Sequence, residues 1–430
     1  MNQIEQLARH GLKVSSEEAG WLKRMSYDVE RKLSEQPDAT DKDIIECLNL
    51  TRVDLRGDEI GGEHLFNPKH EELPYHVFDA YIRGVVRWMN ELGMLTEGCC
   101  DGHGKRVARI LTLEPLTRIQ KKVLQETIPY DSDIRIRFGR REVCFLYTDE
   151  SRQHGLLDIA QSLFQLTLNG KYEQRLEAIE RNQLQKEVLS WLRIPGESGR
   201  EGKVRERLVS KLERLTDTHY VDERGNVLAT LFKGAEGPVV LLSAHMDTVE
   251  RIQVGRKIVQ SGTILRSSKG ILGADDRAGI VIILECLERL RHSSFQGTVK
   301  IAFTVEEEIG CLGAQEIDPS FICDVDCAIV ADRRGSRDIV TGCRGVVLFC
   351  EEAYGQSFEK AGIIAGMDDW MSTRNGGSSD ARVFAESGIP SVNLSVGYLH
   401  EHTDAEQLDV QSTLDTIRLL DAWFQHYAVI

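Results

Sequence analysis

The sequence predicts an α/β domain over residues 181–430, with a mostly parallel sheet sandwiched by helices, preceded by a separate α+β domain over residues 1–180. Three observations carry this reading. The texture changes near residue 180, from polar helical patterns to alternating strands and helices. The strands beyond that point, at 239–242, 299–305, 328–331 and 391–396, are continuous apolar runs. Runs without polar alternation imply strands covered on both faces, hence a largely parallel sheet. The segments between them are helical: 278–291 places Ile280, Ile283, Leu284 and Leu287 at helical spacing, and 379–387 stops at Gly388 just before Ile389-Pro390.

The first region follows a different order. A loop-like stretch at 54–72 precedes a helix at 78–92, a strand at 107–113 and a helix at 116–126. Segments 134–138 and 142–147 read as a hairpin around Gly139-Arg140-Arg141, and 155–168 is helical again. There is no internal repeat and no low-complexity tract.

Composition narrows the function classes. At 430 residues and 41% hydrophobic content, the chain has room for two or three domains with ordinary cores. A net charge of −15 argues against nucleic acid or an anionic membrane as the main partner. No apolar run approaches the roughly 20 residues of a membrane span. The start, Met1-Asn2-Gln3-Ile4-Glu5-Gln6, lacks a basic head followed by an apolar segment, and a cytoplasmic location is expected. The ten cysteines follow no framework, and several, such as Cys286, Cys327 and Cys350, sit in apolar segments where a reduced thiol acts as a small hydrophobe. Disulfides are not expected.

Chemistry concentrates after the carboxyl ends of the predicted strands, where open α/β sheets bind their ligands. His245 and Asp247 follow one strand, Glu307 and Glu308 a second, Asp332 a third and His402 a fourth. His245 offers a nitrogen ligand, and Asp247, two residues on, is placed to accept the other imidazole N–H and fix the tautomer. Asp275 and Asp276 precede a helix, where one of them is expected to cap; the other is free to bridge two cations. Glu307 and Glu308 are neighbours at a strand end, so one can bind metal while the other acts as general base. Each motif alone also has a plain reading, as a solvated His-x-Asp, an N-cap, an acidic surface run, an Asp paired with Arg333 and Arg334, or a loop histidine beside the rival His400. Their joint order points to a pair of divalent ions and to hydrolysis.

That order resembles the co-catalytic metallopeptidases of the M20, M28 and M42 families, which share a zinc-peptidase-like α/β fold. His245-Met246-Asp247 is similar to their His-x-Asp, and Gly273 through Gly279 to their Gly-x-x-Asp-Asp-Lys/Arg-x-Gly. The stretch Phe303 through Gly310 is similar to Phe-Thr-x-x-Glu-Glu-x-Gly; Asp332, His402-Thr403-x-x-Glu406 and the Gly376-Gly377-Ser378-Ser379-Asp380-Ala381 segment complete the set. The resemblance implies one ion on His245, Asp275 and Asp332 and a second on Asp275, Glu308 and His402. It makes Glu307 the base and Asp247 the residue that orients His245. Two Zn²⁺ ions are expected, with Mn²⁺ and Co²⁺ as alternatives. Tyr398 is a candidate for the oxyanion, Glu306 for a substrate ammonium, and Asp380 for a further substrate contact. Arg344 and Arg374 are candidates for a substrate carboxylate.

Spacing departs from part of the family. Thirty residues separate His245 from Asp275 and 70 separate Asp332 from His402, too few for the inserted lid or dimerisation domain of many M20 and M42 enzymes. The N-terminal domain carries none of these motifs and is expected to limit access to the metals or to build a homo-oligomer. Within it, Cys99-Cys100-Asp101-Gly102-His103-Gly104 is either a structural turn or a further metal or thiol site. The expected activity is aminopeptidase action on short peptides. A deacylase or amidohydrolase of small N-acyl substrates, a carboxypeptidase, and a non-catalytic binding module are the alternatives.

Overall fold

The computed structural model describes residues 3–13, 20–56, 78–102, 106–129, 132, 134–147 and 154–427. The chain divides into two compact units, Met1–Glu180 and Arg181–Ile430. From residue 57 onward the loop-like stretch expected at 54–72 lies outside the described residues, as does His103.

In the first unit, β1 (Thr96–Cys100), β2 (Ala108–Thr112), β3 (Arg135–Phe138) and β4 (Glu142–Leu146) form an antiparallel sheet in the order β1-β2-β4-β3. The β3–β4 hairpin turns at the expected glycine. Helix Arg118–Glu126 is started by a capping box between Thr117 and Gln120. The helix expected over 78–92 begins only at Arg83, after a turn. Trp88, Met89, Ile110, Phe145 and Leu163 form one core; Leu7, Met25, Val29, Ile44 and Leu48, from three helices nearer the N-terminus, form another.

The second unit is built on an eight-stranded main sheet. β5 (Thr218–Val221), β6 (Val227–Phe232) and β7 (Val239–His245) come first; β8 (Ile258–Ser261) and β9 (Ile264–Ser267) make a separate hairpin. Next come β10 (Thr298–Thr304), β11 (Cys327–Arg333), β12 (Asp338–Val340), the short pair β13 (Gly342–Cys343) and β14 (Val347–Leu348), β15 (Met371–Thr373) and β16 (Ser391–Ser395). Finally β17 (Tyr398–Leu399) and β18 (Gln407–Asp409) join the β8–β9 hairpin as a second, four-stranded sheet. The main sheet runs β15-β12-β16-β11-β7-β10-β6-β5.

Its centre, β16-β11-β7-β10, is parallel, while β6 and β5 on one side and β12 on the other attach antiparallel. The apolar runs that predicted a parallel sheet belong to those four central strands. Burial explains the match: β7 and β10 are buried at nearly every position because helices cover both faces. On one face pack Leu208, Ile283, Phe358 and Trp423, the last two stacked with ring centroids 4.9 Å apart; on the other lie Ala314, Phe321 and Phe384. The 30 residues from His245 to Asp275 hold only the β8–β9 hairpin, so no domain is inserted there.

Candidate metal centre

Three parallel strands deliver the first residues. His245 is the last residue of β7, Thr304 pairs with it at the end of β10, and Asp332 lies near the end of β11. Register shifts between Ala331 and Arg333 against β16, which leaves Asp332 as an extra residue. Such a bulge re-aims a side chain. Asn393 of β16 holds it from both sides, accepting from Asp332 N at 2.9 Å and donating to its carbonyl at 3.2 Å.

Asp275 arrives from the first turn of helix Ala274–Leu290, whose backbone is non-helical at Asp275 and Asp276 and whose Asp275–Asp276 peptide is cis. Two features fix this turn. Asp276 is the capping acid, accepting from Gly279 N at 2.9 Å and from His245 N at 3.3 Å. Gly279 is required for close approach, since a Cβ there would lie 1.9 Å from the Ala331 carbonyl. Glu406 then grips the segment before the helix: one carboxylate oxygen accepts from Leu272 N and Gly273 N, the other from Ala274 N and Asp275 N, at 2.7–3.2 Å. His402, four residues before Glu406, sits at φ 63° on the loop between β17 and β18.

These elements converge on Asp275. Its Oδ1 lies 3.0 Å from His245 Nε2, and its Oδ2 lies 3.0 Å from His402 Nε2. His245 Nε2 is also 3.4 Å from Asp332 Oδ1, and His402 Nε2 is 2.8 Å from Glu308 Oε2. Each histidine therefore shares Asp275 and has one further carboxylate of its own. On the other side of the His245 ring, Nδ1 is 3.2 Å from Asp247 Oδ1. Asp247 is also anchored by Ser198 Oγ at 2.7 Å and by the amides of Glu307 and Glu308 at 3.0 and 3.2 Å. One buried carboxylate thus sets the histidine ring and the strand end that carries both glutamates.

The donor set fits divalent cations. Two imidazole nitrogens and several carboxylates converge at separations of 2.8–3.4 Å, close to the ~3.4 Å between donors that each lie ~2.1 Å from a tetrahedral centre. Glu308 Oε1 is buried without a hydrogen-bond partner. The protonation pattern shows the same need for positive charge. Burial and the nearby Asp332 push Glu307 up to about 9, and burial pushes Asp332 up to about 7. Hydrogen bonds to Asp275 and Glu308 push His402 up to about 10. Burial alone would lower His245, but Asp332, Asp247 and Asp275 outweigh it and raise it. Asp275, although buried, is held below the usual carboxylate range by the two histidines.

Several expected contacts are placed elsewhere. The Tyr398 side chain is buried and its hydroxyl donates to Asp332 Oδ1 and to the Asp332 carbonyl, both at 3.0 Å. In that position it supports Asp332. Glu306, at φ 52°, pairs with Arg224, so its charge is already met. Asp380 is buried and accepts from Thr304 Oγ1 at 2.6 Å, beside Glu307 and Cys311. Of the rival pair, His402 is in the cluster and His400 is not. Asp332 makes its contacts with His245, Tyr398 and Asn393 rather than with the arginines that follow it: Arg333 bonds Asp338 and Arg334 pairs with Glu401. In the first unit, Asp79, Cys100 and Asp101 lie together.

Residues 249–419 match the family model of the M42 glutamyl aminopeptidases. Over this span the C-terminal unit is similar to the co-catalytic metallopeptidases. The chain is 29% identical over 153 residues to an uncharacterised protein of Bacillus subtilis, covering 34% of this chain and 41% of that protein. It is 29% identical over 174 residues to peptidase T of Yersinia pestis, covering 31% of this chain and 42% of the relative. The chain thus spans less than half the length of these curated relatives. The fold is shared with the aminopeptidase PepT of Bacillus cereus, with a TM-score of 0.52 and 20% identity over 57% of this chain and 98% of the other. It is shared also with a tripeptidase of Staphylococcus aureus, with a TM-score of 0.51 and 18% identity over 58% and 98%. No described helix is long and apolar enough to cross a membrane.

Proposed function

We propose that the chain is a dinuclear aminopeptidase acting on short peptides. The observation that carries this is Asp275, each of whose oxygens faces a different histidine nitrogen at 3.0 Å. A carboxylate so placed is suited to join two cations, and Glu307 stands beside it without being taken up by either histidine. His245, Asp275 and Asp332 would hold one ion, and Asp275, Glu308 and His402 the other. Zn²⁺ suits this mixture of imidazole and carboxylate, with Mn²⁺ and Co²⁺ as alternatives. When bound, the ions supply positive charge that eases deprotonation of water and polarises a scissile carbonyl.

The chain's own residues do the rest. Glu307 is fixed through its amide by Asp247, and its Oε1 accepts from the Cys311 thiol at 3.2 Å. Its carboxylate is the group placed to take a proton from the attacking water and pass it to the leaving amine. Asp247 keeps the His245 ring turned so that Nε2 faces Asp275, and Tyr398 and Asn393 keep Asp332 in place. The names of the relatives favour peptides with a free N-terminus over N-acylated ones. The test is a panel of free, N-blocked and C-blocked short peptides with wild type and Glu307→Gln. Cleavage of free peptides only, lost in Glu307→Gln while bound metal is retained, is the expected result; cleavage of N-blocked substrates alone would favour a deacylase.

A further inference from the structure

Beyond the two-ion centre, the carboxylates of Glu307 and Asp380 and the thiol of Cys311 lie with one donor atom each within 4.8 Å of one another. Cys311 stands at φ 57° at the start of a short helix, is 2% exposed, and reaches Glu307 Oε1 at 3.2 Å. Asp380 is buried too. Its Oδ2 accepts from Thr304, while Oδ1 has no hydrogen-bond partner, and it makes no ion pair among the described residues. A buried carboxylate oxygen left unmatched is costly unless something binds it.

A thiol among carboxylates selects for soft divalent cations over Mg²⁺ or Ca²⁺.

We propose that Cys311, Asp380 and Glu307 form a third, inhibitory site for a thiophilic divalent cation such as Cd²⁺ or excess Zn²⁺. Binding forms a metal–sulfur bond, releases the thiol proton to solvent, and occupies the carboxylate assigned above as base. The proposal rests on the two-ion reading, yet its readout is independent of turnover. The experiment titrates Cd²⁺ into the purified full chain with its two ions bound, following metal equivalents and the ultraviolet thiolate-to-cadmium absorption together with peptide cleavage. The expected result is a third equivalent that raises the thiolate band and abolishes cleavage. In Cys311→Ser the band is lost, and the Cd²⁺ concentration for half-inhibition rises at least about tenfold relative to that variant's own uninhibited rate; Asp380→Asn weakens the third equivalent and keeps the band at high Cd²⁺. A third equivalent that survives in Cys311→Ser, or inhibition at unchanged Cd²⁺ in that variant, would overturn the proposal. If no peptide is cleaved at all, the function reading fails, while the band and its loss in Cys311→Ser still decide the site.

Discussion

The two units bury opposite charges, and each treats its burden differently. Among the described residues of the first, the buried charged groups are chiefly cations: Arg9, Arg83 and Arg87, with His10 and Asp101. They are matched locally. Arg9 pairs with Asp41 at 3.0 Å and Asp158 at 2.7 Å, Arg83 donates to the Phe78 carbonyl, and Arg87 donates to the Gly11 carbonyl and lies 3.6 Å from Glu91. His10 is fully buried, and burial with Arg83 and Arg9 nearby lowers it to about 3, which keeps it neutral. In the second unit the buried charges are mostly acids, among them Asp247, Asp275, Asp276, Asp380 and Glu406, more than the buried Arg277, Lys300 and His245 can balance. Matched burial holds a fold together; unmatched burial of one sign is a demand for a ligand of the other.

The sharpest way to break that contrast is Glu307→Gln. Removing the proposed base without removing a proposed ligand should lower peptide turnover by about 10³-fold, within the range of lost general-base catalysis, while metal analysis shows the ions retained. Loss of metal together with activity would make Glu307 a ligand instead. Arg9→Met is the counterpart in the first unit. It should cost about 2–3 kcal/mol in denaturant unfolding, because Asp41 and Asp158 each lose an ion pair with a buried guanidinium, and leave metal content and kcat unchanged.

Glu406→Gln tests support rather than chemistry. A neutral amide cannot accept with both ends from the four amides of 272–275, so metal affinity should fall about 10–100-fold, seen by competition with a chelator, with a smaller loss of fold stability. The smallest expected effect is on pH dependence. Glu307 and Asp332, raised to about 9 and 7, and His402, raised to about 10, each contribute stability below their unfolded values that is lost as pH rises through the folded ones. Asp275, held low, is already ionised throughout that range and adds no slope. Metal-free protein should therefore lose thermal stability between pH 6 and about 9 at the second unit, with the metal-loaded form flatter; equal slopes with and without metal would contradict the unmatched-charge view.

The contrast also explains what could be read in the sequence. His245, Asp275, Glu308, Asp332 and His402 were legible because each follows a recognisable apolar strand or opens a helix, so topology alone brings them to one edge of the sheet. Asp247 was legible because its link to His245 spans two residues. Supports that join distant segments were not. Ser198 reaches Asp247 from 49 residues away, and Glu406 reaches Asp275 from 131. Glu306 looked available for a substrate because its partner Arg224 lies 82 residues earlier. Nothing local shows that the Tyr398 hydroxyl reaches Asp332, 66 residues earlier. In the first unit the sheet and hairpin followed from alternation and turn residues, but its buried arginines left no periodic mark.

The most direct test of the central claim is the number of divalent ions held per chain after dialysis, measured by elemental analysis on wild type, His245→Ala and His402→Ala. Two ions are expected in wild type, with the loss of one in each variant. A wild-type chain with no tightly held ion after reloading with Zn²⁺ or Mn²⁺, or variants that keep both, would contradict it.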